Sequence, residues 1–292
     1  MNDVNPSREP SRGLWCDIRV RMRRDRGALI AGAILVLLVA LALIGPSLSP
    51  YAYDTLDWQH LALAPFNTSS HLLGTDRLGR DLFVRALQGV RISLLISLIA
   101  TAISVAVGVT WGTLAGYVGG RLDGLMMRTV DILYSLPYLF IVIILTTLFT
   151  RGSLPVLFIS IGAVGWLTMA RIVRAETLSL RKREFIEAAR ATGLGTGAII
   201  WRHLVPNLLG PVIVYATLTV PQMMLFESFL SFLGLGVQEP LASLGSLIND
   251  GAREMQSAPW MLLVPAILTT VLLLCFNLIG DSLRDALDPR ER

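Results

Sequence analysis

Metal binding, nucleotide binding and acid–base catalysis each need particular side chains at particular spacings, and this chain supplies few of them. Its histidines are His60, His71 and His203, with no H-E-x-x-H and no pair four residues apart. His60 and His71 share a segment with Asp54, Asp57, Asp76 and Asp81. That segment is expected to be a solvated loop, with a metal site as the minority alternative, so no metal ligand is assigned. A P-loop needs G-x-x-x-x-G-K-[ST], whose backbone N–H groups and lysine surround phosphate. The single lysine, Lys182, stands between Arg181 and Arg183 and follows no such loop. Gly193-Leu194-Gly195-Thr196-Gly197 is too short for a dinucleotide fingerprint. No catalytic residue and no cofactor is expected in this chain. If nucleotide powers it, another chain binds that nucleotide.

Two other features invite function. Glu227 is the one carboxylate well inside an apolar run, in L-F-E-S-F-L-S-F-L-G-L-G. An ionisable group is costly in a bilayer and marks function by default. With Ser228 beside it, Glu227 could line a solute path, pair across a subunit interface, or hold backbone near Gly234 and Gly236. A lone carboxylate is thin equipment for a proton-driven pump. The second feature is R-E-F-I-E-A-A-R-A-T-G at 183–193. Residues 183–191 suit a short helix with Phe185, Ile186, Ala188 and Ala189 as its apolar edge. Arg183 and Arg190 bracket Glu187 at helical spacing, and Gly193 suits a left-handed stop. A charged helix between apolar runs has no lipid-facing use, so a docking surface is expected; a surface helix without a partner is the plainer alternative.

The elements around these residues are apolar spans. Of 292 residues, 53% are apolar and 16% charged, and the mean hydropathy is +0.63. That composition favours a membrane protein. Charge-free runs cover Ala28–Leu48, Ile92–Gly120, Ile132–Thr150, Gly152–Ala170, Leu204–Phe226 and Met255–Gly280. Spanning a bilayer takes about 20 residues of helix, so an all-α bundle of six transmembrane helices is expected. The fifth should extend past Glu227 to about Leu235. Ala28–Leu48 is too long for a signal-peptide core and lacks a clear cleavage site, so it reads as a retained first span. With both termini inside, segments 1–27, 121–131, 171–203 and 281–292 hold 19 of the 25 basic residues. That asymmetry is the positive-inside pattern. The formal charge of +4 is thus a topology signal and does not point to nucleic acid. Cys16 and Cys275 lie too far apart on this topology for a disulfide or a zinc site.

Residues 1–27 form an inner N-terminal segment. Within it Leu14, Trp15, Ile18 and Met22 fit either a helix lying on the inner leaflet or a plain charged lead-in. The permease unit, residues 28–292, carries an outer loop at 50–91, a cytoplasmic loop at 171–207 and a tail at 281–292. In the outer loop Asp81 can cap a helix bearing Leu82, Phe83, Ala86, Leu87 and Val90, expected to lie flat before the second span. Gly108, Gly112, Gly116 and Gly120 recur every four residues, the spacing that lets another helix approach closely. Pro137, Pro155, Pro211, Pro221 and Pro265 interrupt later spans. Such breaks are tolerated beside a cavity or neighbouring helices, which makes Pro137 a candidate pathway or interface residue.

The wording G-T-D-R-L-G-R-D-L at 74–82, R-E-F-I-E-A-A-R-A-T-G at 183–193, S-F-L-G-L-G at 231–236 and N-L-I-G-D-S-L-R-D-A-L-D-P at 277–289 resembles the second membrane subunit of binding-protein-dependent ABC importers of the dipeptide/oligopeptide/nickel class. L-W-C-D-I-R and L-F-E-S-F-L-S-F-L-G-L-G-V-Q-E-P-L-A-S are most similar to the oligopeptide branch. The resemblance covers nearly everything after about Leu14. It implies an inner-membrane complex of this subunit, a second homologous permease, two P-loop ATPase subunits and an extracytoplasmic solute-binding protein. It also implies a peptide substrate, with dipeptides or nickel as alternatives, and ATP and Mg held by the partner subunits. Carried over by motif, Glu187, Ala188, Ala189 and Gly193 form the coupling helix in an ATPase groove. The usual I-x-L-P ending is His203-Leu204-Val205-Pro206 here. A stand-alone secondary transporter or channel would want intramembrane charge pairs or repeated broken helices, and neither is evident. A membrane-embedded enzyme would want a polar catalytic cluster.

Overall fold

The computed structural model describes Met22 and residues 25–68, 71–149 and 153–287. Cys16 and the Leu14–Arg26 helix, apart from Met22 and the last two residues, lie outside them. Ten helices follow in order: α1 Arg26–Leu48, α2 Leu82–Val118, α3 Gly120–Ser135, α4 Tyr138–Leu148, α5 Leu154–Leu180, α6 Glu184–Ala191, α7 Thr196–Ile199, α8 Val205–Phe232, α9 Leu244–Arg253 and α10 Trp260–Leu287. A π-helical turn, Ile200–Leu204, joins α7 to α8. Five apolar helical stretches are long enough to cross a membrane, and the bent pair α3 and α4 makes a sixth if it is one span.

Polar caps set the helix starts. The Asp25 carboxylate accepts from Gly27 and Ala28 N–H at the head of α1. Asp81 accepts from Val84 N–H at the head of α2. Ser243 and Ser246 make a reciprocal capping box on α9. Each satisfies amide donors that the first helical turn leaves orphaned.

The second span differs from its sequence expectation. The segment expected to lie flat before it is the first part of α2, which runs unbroken for 37 residues. The outer loop therefore ends at Asp81 and not near residue 91. The reason is burial: Leu82, Val84, Ala86, Leu87 and Val90 are all inside the protein, so this apolar stripe covers neighbouring helices and not the bilayer surface. Helix α5 continues to Leu180, into the segment 171–207. Likewise α10 runs to Leu287 into the expected tail.

The third apolar run, Ile132–Thr150, is broken at Pro137, one of the prolines that interrupt the later spans. Helices α3 and α4 meet at 87° around Leu136 and Pro137. Proline lacks the N–H that a continuing helix needs and restricts the residue before it. Leu136 is accordingly extended, at φ −76° and ψ 141°.

Helix α2 is central, and it packs along α5. Lipid tails are as apolar as leucine, so close van der Waals contact, not burial from water, holds such helices together. A Cβ on Gly108 would stand 2.6 Å from Met169 Cβ, one on Gly112 2.5 Å from the Ala170 carbonyl oxygen, and one on Gly116 2.8 Å from Thr177 Cβ. Gly120 does not share this seam. It opens α3 at φ +61° with nothing near its missing side chain. Leucines and valines such as Val36 and Leu48 on α1 are exposed, as a lipid-facing surface should be.

Candidate functional site

At the cytoplasmic end, α6 is an eight-residue helix that starts from extended Arg183. Glu184 and Glu187 lie in its first turn and Arg190 in its last, each matched to the local sign of the helix dipole. The helix stops in a Schellman arrangement. Gly193 sits at φ +80°, its N–H donates to the Arg190 carbonyl at 2.9 Å, and Leu194 N–H donates to the Ala189 carbonyl at 3.3 Å.

The expected apolar edge of this helix divides into two faces. Ile186 and Ala189 turn inward and join Tyr117, Val173, Ile199, Leu204 and Leu208 in one buried cluster. Phe185, Glu187, Ala188 and Gly193 are exposed. The two alanines therefore differ: Ala189 seats the helix on the bundle and Ala188 faces out. Arg190 turns to Tyr117, with its guanidinium carbon 5.0 Å from the ring centroid and its Nε donating to the phenol oxygen at 3.3 Å. Among the described residues no ion pair joins Glu187 to either flanking arginine.

The ground under α6 is rigid. Arg174 of α5 grips Asp123 of α3 with both guanidinium arms, at 2.5 and 2.6 Å. Arg171 pairs with Asp131 at 2.8 Å and lies 4.3 Å over the Tyr134 ring. Both arginines counted towards membrane orientation in the sequence, and both also tie α5 to the bent pair. After α6, the chain enters α8 through the π turn. Pro206 cannot donate to the Arg202 carbonyl, and a wider turn relieves the clash of its ring with the preceding turn. Asn207 Nδ2 donates to the His203 carbonyl at 2.6 Å.

Glu227 occupies a different setting. It is fully buried and accepts from Ser93 Oγ on α2 at 2.8 Å and from Ser231 Oγ one turn on at 2.7 Å. Ser243 Oγ donates to Ser231 Oγ at 3.1 Å, and Leu244 N–H donates to Ser93 Oγ at 3.1 Å. Val237 N–H donates to Ser231 Oγ at 3.4 Å. One carboxylate thus joins α2, α8 and the head of α9. Its partners are side-chain hydroxyls and not the backbone near Gly234 and Gly236. Ser228 sits where α9 crosses α8 most closely: a Cβ on Gly245 would fall 2.4 Å from Ser228 Cα. Ser231 and Ser243 lie in the stretch that carries Glu227, but only the fold brings Ser93 of α2 to them.

A cavity of roughly 590 Å³ lies between the α3–α4 bend, α5 and α8. Leu136, Thr168, Tyr215, Gln222 and Phe226 contribute to its wall. Glu227, Ser228 and Pro137 do not line it, although their neighbours Phe226 and Leu136 do. Gln222, two prolines' reach along α8 from any sequence motif, had no signal in the sequence.

The outer loop corrects another expectation. His71, Asp76, Arg80 and Asp81 are buried while Asp54 and Trp58 are exposed, so only the first part of the segment is a solvated loop. Asp76 accepts from Arg80 Nε at 2.6 Å and from the amides of Leu78 and Arg80 at 2.9 Å. Arg80 also reaches Glu239 at 3.0 Å. Those carboxylates hold the Arg80 guanidinium above its ordinary range against the opposing effect of burial. The folding of G-T-D-R-L-G-R-D-L is thereby explained: it is a turn closed on its own charges at the head of α2.

Comparison with known proteins follows from this architecture. Residues 108–292 match the family described as binding-protein-dependent transport system inner membrane component. Residues 13–65 match the N-terminal transmembrane domain of oligopeptide transport permease C. The oligopeptide transport system permease protein OppC of Escherichia coli K12 is 54% identical over 281 residues, covering 96% of this chain and 93% of the relative. The OppC of Bacillus subtilis strain 168 is 40% identical over 290 residues, covering 99% and 94%. The dipeptide transport system permease protein DppC of the same organism is 42% identical over 291 residues, covering 99% and 90%. Among solved structures, an inward-facing MetNI methionine ABC transporter chain superposes with a TM-score of 0.57 at 19% identity, over 69% of this chain and 96% of that one. This last likeness is one of fold.

Proposed function

The chain belongs to the family of binding-protein-dependent transport system inner membrane components, and from that premise we propose that it is a membrane subunit of an ATP-driven importer of oligopeptides. Its work is conformational: ATP and Mg bind to two partner ATPase subunits, a second homologous permease completes the bundle, and an extracytoplasmic solute-binding protein delivers the peptide. Glu187, Ala188 and Gly193 supply the outward face of α6 to a groove on an ATPase subunit. Ala189 transmits its displacement, because it is locked into the cluster between α2, α5 and α8. The cavity at the α3–α4 bend offers hydroxyl, amide and aromatic groups to a peptide backbone.

The observation that carries this reading is α6 itself, a short helix with an inward apolar face seated on the bundle and an outward face whose Glu187 has no ion pair among the described residues. The test is Glu187→Lys in the reconstituted complex. Charge reversal on an exposed face leaves folding intact and lowers peptide import per ATP hydrolysed by roughly tenfold, equivalent to about 1.4 kcal/mol. Import at the normal rate with normal coupling would sink the role of α6. Uptake of di-, tri- and pentapeptides by the same proteoliposomes distinguishes oligopeptides from the dipeptide class.

A further inference from the structure

At the outer end, two chain segments distant from the coupling helix converge on three ligand-type atoms. Asp57 Oδ2 lies 2.8 Å from His60 Nδ1 and 3.5 Å from His71 Nε2, and the three residues offer ligand atoms all within 4.8 Å of one another. His71 is 1% exposed, and its Nε2 has no hydrogen-bond partner among the described residues. Its ring is held from two sides. Nδ1 lies 2.8 Å from Asp81 Oδ2, and the Tyr51 ring stacks at a centroid distance of 4.4 Å.

The Asp81 contact decides what Nε2 can do. Asp81 caps α2 through its other oxygen, which accepts from Val84 N–H. A carboxylate beside Nδ1 keeps the proton there, so neutral His71 presents a bare lone pair at Nε2. That lone pair faces the Asp57 carboxylate, another acceptor. Two acceptors in contact need a cation between them, either a proton or a metal. A carboxylate–histidine pair behind a free Nε2 is the arrangement that orients histidines on metals and raises their basicity.

We propose that Asp57, His60 and His71 form a site for a divalent transition cation of the zinc type, with water at the fourth position. Asp57 Oδ2, His60 Nδ1 and His71 Nε2 are the ligands, and the metal displaces the proton from His60 Nδ1. Tetrahedral zinc with bonds of about 2.0–2.2 Å keeps its ligand atoms roughly 3.3 Å apart. The observed separations straddle that value, and the half-exposed Asp57 and His60 can adjust while His71 stays fixed. The cation would staple the 57–60 turn to the segment that enters α2, on the face open to the exterior. The proposal does not rest on the transport reading.

The test uses the full-length protein in detergent, its purification tag removed, stripped with EDTA and titrated with cobalt(II). Saturation at one equivalent with visible tetrahedral absorption bands is expected, followed by displacement on adding zinc. His60→Gln and Asp57→Asn should weaken cobalt binding at least about tenfold. Asp81→Asn retains a helix cap but loses the carboxylate behind His71, and should weaken it about 10–100-fold. Zinc should raise the melting midpoint of the native protein and leave that of His60→Gln unchanged. Cobalt uptake without saturation, or equal uptake by the variants, would overturn the proposal. So would a melting midpoint that responds to pH through the histidine range but not to zinc, since the cation would then be a proton.

Discussion

Glu187 and Glu227 are the same side chain in opposite settings. Glu227 is enclosed at the outer end, its oxygens matched by Ser93 and Ser231. Glu187 stands on an exposed helix face at the cytoplasmic end, with no ion pair among the described residues. The wider regions follow suit. The outer end closes on its own charges, from Asp76 and Arg80 to Glu239. At the cytoplasmic end Arg174 and Arg171 brace the bundle, while α6 presents unpaired charge to whatever lies beyond. A carboxylate that serves the fold is satisfied within it; one that serves a partner is left open.

The comparison breaks first at Glu227. Glu227→Ala takes the acceptor from two buried hydroxyls and leaves a void, a loss of about 2–5 kcal/mol. A sharp fall in the melting midpoint of the purified protein is expected, and an unchanged midpoint would show that the serine junction contributes nothing. Next comes the seam that links both ends. Gly112→Val forces α2 away from the Ala170 carbonyl, 2.5 Å from the added Cβ, at a cost of about 1–3 kcal/mol. Its midpoint should fall well below that of Gly124→Val, where nothing stands within 4 Å of the new carbon; equal melting would refute tight packing along the seam.

Glu187→Lys should move the melting midpoint by no more than about 0.5 kcal/mol of stability, even though it uncouples import. A large destabilisation would mean that Glu187 belongs to the fold after all, and the contrast with Glu227 would collapse. The smallest effect concerns Asp57. Its folded pKa is lowered, so the His60 contact stabilises above the ordinary carboxylate range and is lost as pH falls through the lowered value. In EDTA-treated protein the stability difference between native and Asp57→Asn should shrink on acidification. Because both partners are partly exposed the difference is small, and a gap that widens at low pH would contradict the sign.

Much of the cytoplasmic end was legible in the sequence. A left-handed stop at Gly193 needs only local chemistry, and the α6 boundaries follow from the alternation of charge and small residues. What the residues could not reveal was which alanine faced inward, because that depends on where Tyr117 and Val173 stand in space. The outer end was legible in its caps and little else. Asp81 announces the head of α2, but the same apolar stripe suits a helix on the bilayer surface and a helix buried against α8 and α10. Only the tertiary packing chose between them.

The sequence by itself determined the apolar spans, the arginine asymmetry between their ends, the absence of a P-loop and the short charged helix that ends before Gly193. These depend on composition, periodicity and local backbone preference, which act over a few residues. Tertiary structure decided that Glu227 is bonded by serines up to 134 positions away, that α3 and α4 bend at Pro137 beside a cavity, and that His71 is buried against Asp57 and Asp81. Each of those depends on contacts between segments remote in the chain, where burial and hydrogen-bond matching, not propensity, select one arrangement.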